Sequence, residues 1–348
     1  MENIFKKILI IHAGGIGDII MFTPALKILK NNFPNSAVDI FIGYTPIAAE
    51  VLRGSEIINR ILDFNFPKSN FFNKIRFIYK LRKEKYDLII VASGVNPYKG
   101  SLLAFLIGGK NRVGEYKKSK CLFYTHQVKL NGNSHKIEAN LNLLKSLGIK
   151  TGGRTPSLFF TIGNDDEKFA EEFIKKNNLR DKILIGFFPA VGSKQQFKKW
   201  PEENFIKLGK IVLDNFPKTA IIIFGSSDEK NLCLGIKDGI RRNFVFTANN
   251  SLKQAAALID KCKVCVSSDC GLGHVASTTK TNLVIIFGST IPERTGPVGP
   301  KVHIVEERCR YRYHDIFTPK YDMNKKHQCL RKITPEIVFN KIKEVLCK

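Results

Sequence analysis

The chain is short of acid. Its 348 residues carry 31 Asp and Glu against 56 Lys and Arg, a formal net charge of +25. Such an excess points to an anionic partner: nucleic acid, a phosphorylated substrate or an acidic membrane face. A solvated face on a lysine-rich chain would carry the same charge with no partner at all. No helix-turn-helix, zinc-finger or RNP signature occurs, so no nucleic acid is expected. Nor does any apolar run reach the roughly 18–20 residues that a membrane-spanning helix requires.

Other absences narrow the chemistry. The first 21 residues lack a small-residue cleavage site, and Gly and Asp interrupt their apolar run, so they read as a first strand and not a signal peptide. Cys262-Lys263-Val264-Cys265 is formally C-x-x-C, but no second pair stands nearby. The eight scattered cysteines are therefore expected as free thiols, most of them buried, which suits a reducing cytoplasm. No D-x-D pair sits in a loop suited to caging a cation; Asp165-Asp166 opens a helix instead. No metal is expected.

What is present is a doubly repeated α/β pattern. Length favours two domains. In the first half, strands are expected at 8–12, 38–43, 87–92 and 126–130, with helices at 19–32, 46–53, 71–84, 99–107 and 135–147. Lys150 to Pro156 is polar and glycine-rich and breaks the pattern. A charged helix at 165–177 then leads to strands at 182–188, 219–224, 243–246, 264–267 and 282–287. The accompanying helices are expected near 202–215, 229–239, 252–260 and 271–279, with a last one at 335–346 after Thr334-Pro335-Glu336. Such alternation implies two doubly wound, Rossmann-like parallel sheets, with a ligand in the cleft between them. The expected divisions are 1–160, 161–334 and a C-terminal helix, 335–348, packing back on the N-terminal domain. Two basic clusters fall in the first half. Lys74, Arg76, Lys80, Arg82, Lys83 and Lys85 lie on one expected helix, and Lys110, Arg112, Lys117, Lys118 and Lys120 in an expected polar loop.

Glycine and hydroxyl loops follow five of the strands. After Ile8 to Ile11, the turn at Gly14, Gly15 and Gly17 leads into a helix and places Asp18 at the carboxyl edge of the sheet, where open α/β sheets bind ligands. The spacing is neither G-x-G-x-x-G nor Walker A, since Asp18 occupies the third glycine's place. On the loop alone Asp18 reads first as a helix cap. In Ser267-Ser268-Asp269-Cys270-Gly271-Leu272-Gly273-His274, the glycines open a helix whose free amides suit a phosphate. His274 can add a hydrogen bond or serve structure alone, and Asp269 organises the loop. Ser193, Lys194 and Lys198 stand at another strand end, where a lysine stabilises a departing diphosphate. Trp200, the single tryptophan, reads as a staple for the helix that follows. Ser226-Ser227-Asp228-Glu229 can reach a ribose, and Phe287 to Pro297 forms the fourth loop of the second half.

Four motifs, G-x-G-D-x-x-x-x-x-P-A-L at 15–26, K-x-W-P at 198–201, S-D-x-G-x-x-H at 268–274 and F-G-x-T-x-P-x-R-T-G-P at 287–297, occur in this order along nearly the whole chain. Together they resemble glycosyltransferase family 9, the ADP-heptose:lipopolysaccharide heptosyltransferases. The resemblance implies a GT-B fold and an inverting, metal-independent transfer. It implies an acceptor-binding N-terminal domain and a nucleotide-sugar-binding C-terminal domain, with ADP-heptose as donor and the anionic lipid A–Kdo glycolipid as acceptor. It makes Asp18, flanked by the acceptor-side glycines, the general base, reversing the cap reading. Lys198, Ser193 and 270–274 become diphosphate positions, and Asn250-Ser251 borders the adenine. The enzyme would be cytoplasmic and peripheral to the inner membrane. Ser227 stands where some members carry a ribose-binding Glu, so Asp228 or Glu229 is expected to substitute. Cys270 replaces a small hydroxyl residue, and Tyr311-Arg312 stands where a second cysteine near Cys309 is usual. The alternatives are another nucleotide sugar or acceptor, a non-catalytic nucleotide-sugar-binding protein, and an oxidoreductase, the last disfavoured by the missing fingerprint.

Overall fold

A computed structural model describes residues 5–43, 46–153, 155–309 and 329–347. The chain divides into two compact units, Met1–Thr161 and Ile162–Lys348. In the first, strands β1 (Lys7–His12), β2 (Ala37–Ile42), β3 (Arg60–Asp63), β4 (Leu88–Val91), β5 (Asn111–Tyr116) and β6 (His126–Lys129) form one sheet in the order β3-β2-β1-β4-β5-β6. Every pairing is parallel. The order steps one way from β1 and the other way from β4, so the winding reverses between those two strands.

Handedness then places the helices. Right-handed crossovers put α1 (Ile16–Asn32) on one face, and α2 (Phe71–Lys83) and α3 (Pro97–Ile107) together on the other. Leu81 and Ile107 accordingly share a buried cluster with Leu9, Ile11, Ile89 and Val91. The remaining helix, α4 (Lys136–Lys145), packs on α1. Strands covered on both faces read as unbroken apolar runs, as Ile8 to Ile11 does. Helix α1 tolerates Pro24 because the Thr23 hydroxyl donates to the Ile20 carbonyl, at 2.7 Å, the acceptor that a proline leaves without its amide.

The second unit repeats the plan. Strands β7 (Ile183–Phe188), β8 (Thr219–Phe224), β9 (Val245–Ala248), β10 (Val264–Ser268), β11 (Asn282–Phe287) and β12 (Val302–Glu306) lie in the order β12-β11-β10-β7-β8-β9, all parallel, and the winding reverses between β7 and β10. Helices follow as α5 (Asn164–Lys176), α6 (Glu202–Asn215), α7 (Lys230–Ile240), α8 (Leu252–Lys261), α9 (Gly271–Ala276), α10 (Pro292–Thr295), α11 (Cys329–Lys332) and α12 (Pro335–Leu346). The buried cluster on one face joins Ile185, Ile223 and Val266 to Leu208 of α6 and Ile236 of α7.

Several expectations need correction. Helix α12 belongs to the second unit: Val338, Ile342 and Val345 are buried in its core, against α6, β10 and β11. Three strands, β3, β5 and β12, go beyond those expected, and Arg112 lies in β5 and not in a loop. Helix α9 ends at Ala276, short of 279. Cys262 and Cys265 are buried free thiols. Tyr311 and Arg312 lie outside the described residues.

A buried carboxylate ties the first sheet together on its β2 side. Asp39, 2% exposed, accepts hydrogen bonds from Arg60 Nη2 at 2.6 Å, Asn59 Nδ2 at 2.8 Å and the Tyr86 hydroxyl at 2.8 Å. Burial, together with the bond to Asp39, pushes the Tyr86 phenol up. Asp39→Ala strands those donors and is expected to lower the unfolding free energy by about 3 kcal/mol. Tyr86→Phe, which leaves the carboxylate its other donors, should lower it by about 1 kcal/mol. Urea unfolding with an unchanged m-value checks both.

Candidate functional site

In each sheet the reversal of winding leaves a crevice at the carboxyl ends of the two central strands, because the loops leaving them diverge. In the first unit the crevice lies between the ends of β1 and β4. Helix α1 starts at Ile16, and Asp18 is its third residue. Asp18 Oδ2 accepts the Gly15 amide at 3.0 Å, closing a capping bond, while Oδ1 lies 3.8 Å from Lys136 Nζ. The cap reading of Asp18 is thus correct for one oxygen. The side chain keeps about a third of its surface open, 35%. Gly14 allows this packing, since a Cβ there would overlap the Asp18 side chain.

Three residues of this crevice were not anticipated: Lys136, Glu115 and His12. Lys136 opens α4, and its ammonium packs against Gly94, at the end of β4. Gly94 has φ +90°, and a Cβ there would occupy the place of Nζ. Asn140 fixes the helix by accepting the Ser93 amide at 2.9 Å and donating to the Lys136 carbonyl at 3.0 Å. Glu115, 6% exposed, reaches the Gly94 amide at 3.4 Å. Burial pushes its carboxyl up, while the Ser93 hydroxyl and the Lys136 charge pull it down. His12 ends β1 and accepts the Gly14 amide on Nδ1 at 3.1 Å. Its buried Nε2 has no partner among the described residues.

The second crevice, between β7 and β10, carries the mirror arrangement of charge. Lys198, from the loop after β7, makes a 2.9 Å ion pair with Asp269, from the loop after β10; both are largely buried. Thr290, from the loop after β11, donates to the same Asp269 oxygen at 2.7 Å. Ser289 donates to the Phe197 carbonyl at 3.1 Å, and the Trp200 amide donates to Ser268 Oγ at 3.2 Å. Three loops are thus laced into one surface. Trp200 is fully buried, with Nε1 on the Ile333 carbonyl at 2.9 Å and its ring edge-on to Phe205, as a staple requires.

The remaining expected residues lie along this edge. Ser193 is exposed on a 3-10 turn, Ser193–Lys198; Lys194 belongs to the same turn, its side chain lying outside the described residues. Cys270 caps α9, ahead of Gly271, Leu272, Gly273 and His274. Burial pushes its thiol up, against the Ser267 hydroxyl and the Gly273 and Leu272 amides, so it stays protonated. His274 is buried in that helix. Ser227 and Asp228 are exposed past the end of β8. Glu229 is committed to the Ser226 amide at 2.8 Å, as a cap. Ser251 likewise caps α8, accepting the Gln254 amide at 3.2 Å. Beside it, the buried Asn250 Nδ2 has no partner among the described residues. Among the described residues no group of three or more His, Cys, Asp or Glu is placed to hold a metal ion. No helix among them is long and apolar enough to cross a membrane.

Residues 74–321 match the model of a family described as glycosyltransferase family 9 (heptosyltransferase). Lipooligosaccharide heptosyltransferase 2 of Haemophilus ducreyi is 26% identical over 361 residues, covering 98% of this chain and 99% of that protein. Among solved structures, a family 9 glycosyl transferase from Veillonella parvula superposes with a TM-score of 0.80 at 22% identity, covering 98% of this chain and 97% of the other. Escherichia coli ADP-heptose lipopolysaccharide heptosyltransferase II does so with a TM-score of 0.75 at 21% identity, covering 98% of each.

The first crevice also makes a prediction about stability. Burial, with Lys136 adding to it, pushes the His12 imidazole from 6.5 down to about 4, against the pull of Asp18. The unfolded chain therefore takes up this proton near pH 6.5 and the folded chain only near pH 4. Stability from the neutral ring is full above about 6.5 and is lost as the pH falls toward 4. The loss between pH 7 and 4.5 should be roughly 2–3 kcal/mol. His12→Gln should remove this component of the pH slope, read from urea unfolding of both proteins at the two pH values.

Proposed function

The chain belongs to glycosyltransferase family 9 (heptosyltransferase), and from that premise we propose that it moves a heptose from ADP-heptose to a lipid A–Kdo acceptor. It is a glycosyltransferase of GT-B architecture, two Rossmann-type units in one chain. The proposed transfer inverts the anomeric centre, needs no metal, and takes place at the cytoplasmic face of the inner membrane. The names of relatives in Haemophilus ducreyi and Escherichia coli, lipooligosaccharide and lipopolysaccharide heptosyltransferases, support transfer of a heptose to a lipopolysaccharide acceptor.

The observation that carries the mechanism is the divided carboxylate of Asp18. One oxygen is fixed by the Gly15 amide, so the other is held in one place, partly open, beside Lys136. In the proposed reaction that oxygen takes the proton of the acceptor hydroxyl as the hydroxyl oxygen bonds to the anomeric carbon. The bond from that carbon to the diphosphate oxygen breaks, and ADP departs with the electron pair. Lys198 supplies the positive charge that stabilises the departing diphosphate, with the amides opening α9 and Ser193 beside it. Asp269 holds Lys198 in place before donor arrives. The unpartnered amide of Asn250 is the group we assign to the adenine. Ser227 and Asp228 face the ribose side, and His274 supports the phosphate loop.

Thermal stabilisation by ADP, ADP-heptose, UDP and GDP, each with and without EDTA, tests the donor. Stabilisation by ADP and ADP-heptose alone, insensitive to EDTA, is expected. A preference for UDP or GDP would move the donor and point to Ser227 and Cys270 as the residues responsible.

The base is tested separately. Asp18→Asn should cut turnover by several orders of magnitude while ADP stabilisation persists; substantial activity in that variant would remove Asp18 from the role. Lys136→Met should retain ADP binding and lower kcat, since the ammonium 3.8 Å from the base is lost.

A further inference from the structure

Helix α2 is built in a way that a solvated helix is not. Of its 13 residues only Leu81 is fully buried, while Phe72, Ile75 and Tyr79, at i, i+3 and i+7, form an outward apolar stripe, 79%, 49% and 58% exposed. The inward face is separately satisfied: Phe77 stacks on Phe64 at 4.2 Å and meets Phe41. The neighbouring α3 repeats the pattern with Leu102 and Phe105 exposed. Leu122, in the loop that follows β5, is 94% exposed. Both helices lie on the same face of the sheet, joined by Arg82, which donates to the Leu106 carbonyl at 2.9 Å. Arg112 binds the loop to the end of α3 through the Phe123 and Gly109 carbonyls, and Phe105 stacks on Phe123 at 4.7 Å. The apolar surface is therefore held in place and continues from helix to loop.

Its charge is one-sided. Segments 71–83, 97–107 and 117–125 together contain nine Lys or Arg and no Asp or Glu. Exposed aromatics ringed by lysines, with no acid among them, suit the interface of an anionic bilayer, where rings sit at headgroup level and cations meet lipid phosphate. A second copy of the chain fits poorly, because a two-fold contact would set this charge against itself. A nucleic acid would use the charge and could stack on the aromatic rings but leaves Ile75, Leu102 and Leu122 without a role.

We propose that the outer surface of α2, α3 and the 117–125 loop is a membrane-docking face that inserts Phe72, Ile75, Tyr79, Leu102, Phe105 and Leu122 among anionic headgroups. The inference takes the membrane-borne acceptor from the function proposed above, and it adds the surface and the mode of attachment. Docking here presents the first unit, with Asp18, to lipid-linked acceptors while the donor arrives from solution.

The test is flotation of the full-length protein with vesicles of phosphatidylglycerol and phosphatidylethanolamine, or of phosphatidylcholine alone, without donor or acceptor. Binding to the anionic vesicles and not to phosphatidylcholine is expected. Phe72→Ser with Leu122→Ser, both at highly exposed positions, should lower the partition coefficient about tenfold and leave the melting temperature and ADP stabilisation unchanged. Lys117→Gln with Lys118→Gln and Lys120→Gln should lower it comparably. No vesicle binding with ADP stabilisation intact overturns the docking face and leaves the donor assignment standing. Binding that the serine pair does not weaken overturns insertion. Self-association abolished by the serine pair, or binding to single-stranded RNA but not to vesicles, assigns the face to another partner and overturns the proposal.

Discussion

The reversal of strand order at the centre of each sheet is the constraint on which the rest depends. Between β1 and β4, and again between β7 and β10, hydrogen-bonded neighbours send their connections to opposite faces. No backbone fills the space above them, so side chains must, and the sequence places an ion pair at each reversal. Asp18 faces Lys136 in the first unit and Lys198 faces Asp269 in the second. The two pairs differ in tightness. The first is loose at 3.8 Å and keeps the acid partly open; the second is close at 2.9 Å and nearly covered. Looseness suits the base proposed for Asp18, and tightness suits the charge proposed for Lys198.

A close buried pair adds little net stability, because desolvation offsets most of the attraction. Its value at the second crevice is positional. Asp269 is held by Thr290 as well as by Lys198, and the loops after β7, β10 and β11 are further bound through Ser268 and Ser289. The lysine thus belongs to a surface fixed by four hydrogen-bonded or ionic contacts among three loops, each anchored at a buried strand end. In the proposed transfer, an arriving diphosphate meets a cation whose position is already set, so less order is lost on binding.

Central elements were legible because both faces of their strands are covered. The unbroken runs Ile8 to Ile11, Ala220 to Phe224 and Leu283 to Phe287 appear as strands in sequence and in structure, and α6 and α12 keep their expected bounds. The edge strands β6 and β9 were legible, but the opposite edges, β3 and β12, were not. Strand β3 is Arg60-Ile61-Leu62-Asp63, with both ends exposed, and β12 sets His303 and Glu306 among apolar residues without alternation. Strand β5 is interior, but Arg112, Gly114 and Glu115 interrupt its apolar pattern. Those interruptions have causes visible only in three dimensions: Arg112 ties α3 to a distant loop, and Glu115 faces the first crevice. The same holds for the candidate site. Residues that follow their strand within a few positions, such as Asp18 and Asp269, were found from the sequence. Lys136 was not, since it comes 118 positions after its partner in sequence and meets it only because α4 packs on α1.

Asp18 shows how one residue answers two demands. A helix start leaves amides without partners, and an acid at its third position satisfies one of them. That bond consumes one oxygen and fixes the torsions of the side chain. The second oxygen therefore has a defined direction, and Lys136 Nζ lies 3.8 Å from it. Gly14 is required because the capping geometry folds the carboxylate back over the turn, into the space a Cβ would fill. The cap that the structure shows and the base proposed for this position are not competing readings. The helix N-terminus is the device that orients the acid, and the glycine turn ahead of it is the room that orientation needs.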